Sequence, residues 1–304
     1  MHELDAIQLN FSKDSLFLLN IILGLVMFGV ALDLTVHDFK RLLRAPLAPI
    51  IGLVSQFIIL PALSFGLIQI LDLRPSLALG VLLVAACPGG NISNFIAHLA
   101  KGSTALSVSM TALSTAAAIV MTPFNITFWA SLNPGTRQLL TDLSVDPLEL
   151  FGTVVMLLGI PLVLGMWIHH KYPKTAHKLR KPFRIFSLIF FGGFVLAALG
   201  ANWTHFLKYI GAVFGLVLVH NALAIAMGYT ASFLARLEEQ DRRAVSIEVG
   251  IQNSGLGLTL IFTFFNGNGG MALVAAWWGI WHIIAGMSLA LFWSRFPPKG
   301  QSVN

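Results

Sequence analysis

Apolar positions in this chain fall in long blocks. Stretches of about 20 apolar residues, the length a helix needs to cross a bilayer, recur at 16–36, 46–70, 77–99, 103–129, 149–170, 185–201, 209–235, 244–265 and 271–294. Short polar segments separate them. The pattern predicts an all-α polytopic membrane protein with about nine transmembrane helices. Residues 1–15 read as a polar tail. They carry Glu3, Asp5 and Asp14 against one lysine, whereas a signal peptide needs a basic leading region.

Two blocks are interrupted. The third contains Cys87-Pro-Gly-Gly-Asn-Ile-Ser-Asn94, and the eighth contains Gly250-Ile-Gln-Asn-Ser-Gly255. Proline removes a backbone donor, and paired glycines favour non-helical backbone. At membrane depth such backbone is tolerated only where it is buried in protein or lines a cavity. Paired interruptions in two halves of a chain point to a transporter binding site; the plain alternative is a pair of packing kinks between small residues. Glu248 lies just before the second interruption. An acid inside a membrane span is costly and calls for a partner, and no basic residue lies deep in any block. The fourth block opens with a run of hydroxyls in which Ser107 and Thr111, four apart, share a helix face, with Ser114 on the same side. The ordinary role for each is a bond to its own backbone.

Other polar residues have plainer readings. Gln56 is a lone amide suited to gluing helices together. His220, Asn221 and His282 read as buried, with neutral imidazoles. Asp33 reads as reaching the interface, and Cys87 as a small buried apolar side chain. Trp277, Trp278 and Trp281 lie inside the last block, as helix packing or as a cavity wall.

Composition agrees with the blocks. Of 304 residues, 56% are hydrophobic and 11% charged, against about 25% charged in soluble domains. One cysteine excludes an internal disulfide and a Cys-rich metal site. The net charge of +6 is explained by topology rather than by nucleic acid. With the N-terminus outside, 15 of the 19 Lys and Arg fall in inward-facing segments and 4 outside, as the positive-inside rule requires. Trp129, Trp203 and Tyr209 then fall at outer ends, and Trp167, Tyr172 and Trp293 near inner ends. The C-terminus is expected in the cytoplasm. The basic loop 170–184 divides the chain into two halves, the expected junction of two repeats. Asn-x-Ser/Thr patterns at Asn10 and Asn202 read as chance matches.

Together these motifs resemble the bile acid:sodium symporter family over nearly the whole chain, as a bacterial-type relative of the apical and hepatic bile acid carriers. The resemblance rests on Pro88-Gly-Gly-Asn-Ile-Ser-Asn94, on Lys101-Gly-x-x-Ala-Leu-Ser107-x-x-x-Thr111 and on Glu248-Val-Gly-Ile-Gln-Asn-Ser-Gly255. His220-Asn221 and Trp281-His282 are also similar to family positions. The resemblance implies inverted repeats in which two broken helices cross within a core domain (46–130 and 209–296) beside a panel domain (16–45 and 149–208), followed by a cytoplasmic tail at 297–304. The chain departs from ten-helix bacterial members in lacking their first helix. Nine spans with an external N-terminus resemble the animal carriers.

The resemblance also implies two sodium sites: Ser93, Asn94, Ser107, Thr111 and Glu248 for the first, and Gln56, Gln252, Glu248 and the carbonyls of Val249 and Ile251 for the second. Na⁺ is a hard cation and takes oxygen ligands, as calcium does. Asn91, Asn253 and His282 are left for substrate. The function implied is sodium-coupled import of an organic monocarboxylate (bile acid-like, pantoate-like or a 2-oxo acid) by alternating access, with two Na⁺ and one anion as partners, in a bacterial inner membrane. A monomer is the expected state. The alternative within transport is a metalloid or proton-driven anion exporter using Cys87. An intramembrane hydrolase lacks its motifs: neither a His-Glu-x-x-His pair nor a Gly-x-Ser-x-Gly turn occurs.

Overall fold

The computed structural model describes residues 13–32, 34–35, 45–201, 203–296 and 298. Outside them lie residues 1–12 of the expected tail, Asp33, the basic residues Lys40, Arg41 and Arg44, both asparagines Asn10 and Asn202, and the end of the chain except Pro298. The side chains of Arg184, Trp203, Lys208 and Tyr209 also lie outside.

The chain forms α1 (Lys13–Ala31), α2 (Leu47–Ile70), α3 (Pro75–Ala86), α4 (Ile92–Leu99), α5 (Thr104–Leu132), α6 (Pro134–Asp142), α7 (Pro147–Lys171), α8 (Pro173–Ala201), α9 (Trp203–Leu234), α10 (Glu239–Gly250), α11 (Ser254–Phe264) and α12 (Gly269–Ser294). Among the described residues α2, α5, α7, α12 and the segment Val213–Leu234 of α9 are long and apolar enough to cross a membrane. Asn20–Ala31, α3 and α11 are shorter apolar helices. The expected interruptions are real: the third block divides into α3 and α4, and the eighth into α10 and α11. Two wide turns, at Ser55–Ile59 in α2 and Val155–Gly159 in α7, were not expected. Each is followed within two residues by a proline, Pro61 or Pro161, whose missing N–H loosens the helical ladder.

The centre of the bundle is α3, buried from Ser76 to Ala86. It packs against α12, α5 and α2. Gly80 permits a close approach, since a Cβ there would lie 2.9 Å from Met271 Cα; small residues let helix backbones meet where hydrophobic contrast is weak. To one side, α1 packs on α7, α8 and α11. Trp278 is fully buried against the His220 ring at 4.7 Å, a packing role. Trp277 and Trp281 pack with Phe214.

One end of the bundle is tied by a single cation. Arg243 on α10 is 4% exposed. Its Nη1 donates to the carbonyls of Ala100 (2.9 Å) and Trp293 (3.1 Å), its Nη2 to Phe296 (2.7 Å) and its Nε to Glu239 (2.8 Å). These carbonyls terminate α4 and α12, where a positive charge is favoured. Close by, Lys101 takes a left-handed φ of 57° to end α4, and Ser103 N–H donates to Gln240 O at 3.0 Å. Arg243→Ala is expected to destabilise the fold by about 3 kcal/mol, the scale of breaking a buried charged network. Thermal unfolding of the purified protein checks this, and Arg243→Lys should recover only part of the loss because an ammonium lacks the planar fork.

Candidate functional site

The two interruptions meet and complete one another. Pro88 cannot continue α3, and Cys87 turns extended (φ −73°, ψ 155°). Ile251 does the same after α10 (φ −115°, ψ 99°). Gly89 and Gln252 then pair as an isolated antiparallel bridge. Gly90 N–H donates to Ile251 O at 2.7 Å and Asn253 N–H to Pro88 O at 2.8 Å. Side chains take four more carbonyls at the helix ends. Thr122 Oγ1 donates to Ala86 O (2.7 Å), Gln56 Nε2 to Cys87 O (2.8 Å), Gln252 Nε2 to Val249 O (2.7 Å) and Asn221 Nδ2 to Gly250 O (2.7 Å). Buried carbonyls are expensive to leave unpaired, and here the crossing's own polar residues hold them.

The residues of the first expected set are brought together around Glu248, which is 1% exposed. Ser93 Oγ donates to Oε2 at 2.5 Å, Ser107 Oγ lies 3.1 Å from the same oxygen, and Thr111 Oγ1 donates to Oε1 at 2.8 Å. Ser107 and Thr111 also reach Asn94 Oδ1, at 2.8 and 3.2 Å. A hydroxyl carries one proton, so Ser107 and Thr111 cannot serve all their acceptors at once. Oxygens crowd here with too few protons between them, around one carboxylate with no ion pair to any described residue. That donor set suits a hard monovalent cation. Among the described residues no three of His, Cys, Asp or Glu gather to hold a metal, so softer-metal chemistry has no comparable cluster.

The second expected set is assembled differently. Gln56 Nε2 donates to Gln252 Oε1 at 2.8 Å, while the carbonyls of Val249 and Ile251 accept from Gln252 Nε2 and Gly90 N–H. The hydrogen bonds of Glu248 all run to the first set. Gln56 Oε1 is buried without a hydrogen-bond partner. Gln56 does more than glue two helices: from the wide turn of α2 it bonds both interruptions.

The three residues expected for substrate, Asn91, Asn253 and His282, do not bond each other. Asn91 is exposed at the start of α4 and makes no cap bond. Asn253 caps α11, its Oδ1 accepting from Leu256 N at 3.0 Å. His282 is 3% exposed, with Nδ1 unpartnered. It sits one turn before Gly286, where α12 touches Ile96 of α4 and Ile251.

The hydroxyl stripe divides. Ser114 and Thr115 bond back to Thr111 O at 3.2 and 2.7 Å, the ordinary role for hydroxyls in membrane helices. Thr122 and Asn125 were missed. Asn125 Nδ2 donates to Phe57 O (3.0 Å) in the wide turn of α2. Both continue the helical register of Ser107 and Thr111 along α5, and that periodicity was the signal. Gly89 was read only as a helix breaker, yet a Cβ there would press on the Glu248 carboxylate. His220 and Cys87 are buried as expected, the former beside Ser64 Oγ at 2.7 Å.

Comparison with known proteins adds to this geometry. The model of the sodium bile acid symporter family matches residues 20–208. The chain is 35% identical to the sodium-dependent transporter YocS of Bacillus subtilis, over 97% of this chain and 90% of that one. It is 33% identical to a rice protein named as the chloroplastic sodium/metabolite cotransporter BASS2, over 89% of this chain and 62% of the rice protein. It is also similar to the ileal sodium/bile acid cotransporter of Cricetulus griseus, at 31% identity over 82% of this chain and 70% of the relative.

Proposed function

This chain belongs to the sodium bile acid symporter family, a family of sodium-dependent transporters and not of enzymes, and from that membership we propose that it couples Na⁺ entry to import of an organic monocarboxylate. The observation that carries the reading is the Glu248 carboxylate, buried among Ser93, Ser107, Thr111 and Asn94. In this reading one Na⁺ takes the Glu248, Ser93, Asn94, Ser107 and Thr111 oxygens. A second takes Gln56, Gln252, Glu248 and the carbonyls of Val249 and Ile251 once the present amide pairing opens.

Helix polarity supports both halves of the cargo. α3 and α10 bring their C-terminal ends to the crossing, which favours cations; α4 and α11 bring their N-terminal ends, which favour anions. Asn91, Asn253 and His282 then receive the carboxylate. Segments 46–130 and 209–296 form the moving core, and 16–45 with 149–208 the panel against which it alternates. The basic-residue count supports an external N-terminus and a cytoplasmic C-terminus, and a bacterial inner membrane is the proposed location. A monomer suffices for this cycle. Two Na⁺ with one monoanion carry net positive charge, so uptake increases with interior-negative voltage.

Uptake of radiolabelled glycocholate, pantoate and pyruvate into proteoliposomes tests the reading. At least one is expected to accumulate in Na⁺ and to fall to background when K⁺ replaces Na⁺. Accumulation indifferent to that exchange overturns it.

A further inference from the structure

The amide of Asn253 has an unusual neighbour. Its Oδ1 is taken by the α11 cap and its backbone N–H by Pro88 O, so the side chain is fixed with Nδ2 facing α1. There the acceptor is the thioether of Met27, at 3.7 Å. Sulfur of this kind is a weak acceptor, and a half-buried amide donor gains little from it. Met27 itself is 5% exposed, one turn along the same face from Leu23, which is also buried. A second polar contact between α1 and α11 is long, Thr263 Oγ1 to Asn20 Oδ1 at 3.4 Å. A good amide donor on this boundary is therefore matched with a weak acceptor.

We infer that Met27 is a specificity-determining residue of the transport cycle: its sulfur holds the place on Asn253 Nδ2 that a carboxylate oxygen of the transported anion takes. The inference rests on the reading of Asn253 as a substrate ligand. A carboxylate accepts an N–H far more strongly than a thioether does, so the anion displaces the sulfur and releases the α1–α11 contact at the moment of binding. The methionine then turns its flexible, apolar end toward the body of the substrate. A better acceptor at position 27 would hold the amide against the anion, and a side chain with no acceptor would leave it open.

Two variants of similar volume separate these effects. Met27→Gln supplies an amide oxygen and is expected to raise the KM for the carboxylate about tenfold with Vmax little changed, one ordinary hydrogen bond in competition. Met27→Leu removes the acceptor and is expected to lower KM about twofold. The measurement is Na⁺-driven uptake into proteoliposomes of whichever of glycocholate, pantoate and pyruvate the unaltered protein accumulates. Na⁺-induced thermal stabilisation of each variant serves as the control for folding and cation binding. Opposite displacements of KM support the inference, because loss of packing alone would move both variants the same way. Equal KM in all three proteins, or a rise in both variants, overturns it while leaving sodium-coupled uptake intact. If the unaltered protein accumulates none of the three probes in Na⁺, the proposed function fails and this inference fails with it.

Discussion

Glu248→Gln is expected to abolish the response of this protein to sodium while leaving it folded. Glutamine keeps the volume and one acceptor oxygen for the Ser93 or Thr111 hydroxyl, which now bond Oε2 and Oε1. What it removes is the single negative charge at the crossing. A cation leaving water for a buried site of neutral oxygens loses its hydration with no charge to offset it, an imbalance of about 3 kcal/mol or more for buried charges. Na⁺ affinity should fall at least about 100-fold, the equivalent of that energy. Two measurements check this: the Na⁺-induced rise in unfolding temperature should vanish, and Na⁺-driven uptake should drop to background. Size-exclusion behaviour like that of the unaltered protein would show that the loss is not one of folding. A variant that still responds to Na⁺ at the usual concentrations would remove Glu248 from the ion path.

The second large effect belongs to a residue with no side chain. Gly89→Ala places a methyl group against the Glu248 carboxylate, in contact with both its oxygen and its carbon. The backbone cannot retreat, because Gly89 pairs with Gln252 and the neighbouring Gly90 N–H and Pro88 carbonyl are each bonded across the bridge. The carboxylate must move instead, away from Ser93 and Thr111. Distortions on the order of 1 Å at a preorganised site cost about 100-fold, and a loss of Na⁺ affinity of that order is expected, read by Na⁺ titration of thermal stability. Gly66→Ala is the control: nothing lies within 4 Å of its added Cβ, and replacing a mid-helix glycine is neutral or slightly stabilising. Equal effects from the two substitutions would point to helix packing rather than to the carboxylate.

Much of this site was legible before the helices were seen together. Pro88, Gly89 and Gly90 mark a break because each changes the backbone locally. Glu248 stands out because a carboxylate is foreign to its apolar surroundings. Ser107 and Thr111 fall on one face by spacing alone. Less legible was the fate of individual polar groups. Ser114 looked equivalent to Thr111, yet its hydroxyl turns back to Thr111 O in its own helix, one turn along from the hydroxyls that reach Glu248. Gln56 read as an isolated amide, yet the wide turn at Ser55–Ile59 carries it to both interruptions.

The sequence by itself determined the apolar helical blocks, the two places where helices stop, and the stock of oxygen ligands near them. These follow from properties each residue carries wherever it sits: hydropathy, a missing N–H, a missing Cβ, helical period. Only the tertiary structure decided that the two breaks pair through Gly89 and Gln252, that Glu248 faces Ser93, Ser107 and Thr111, and that Asn253 meets the sulfur of Met27. Those contacts join residues more than a hundred positions apart. They depend on the rotation and depth of each helix, which are set by packing the whole bundle at once.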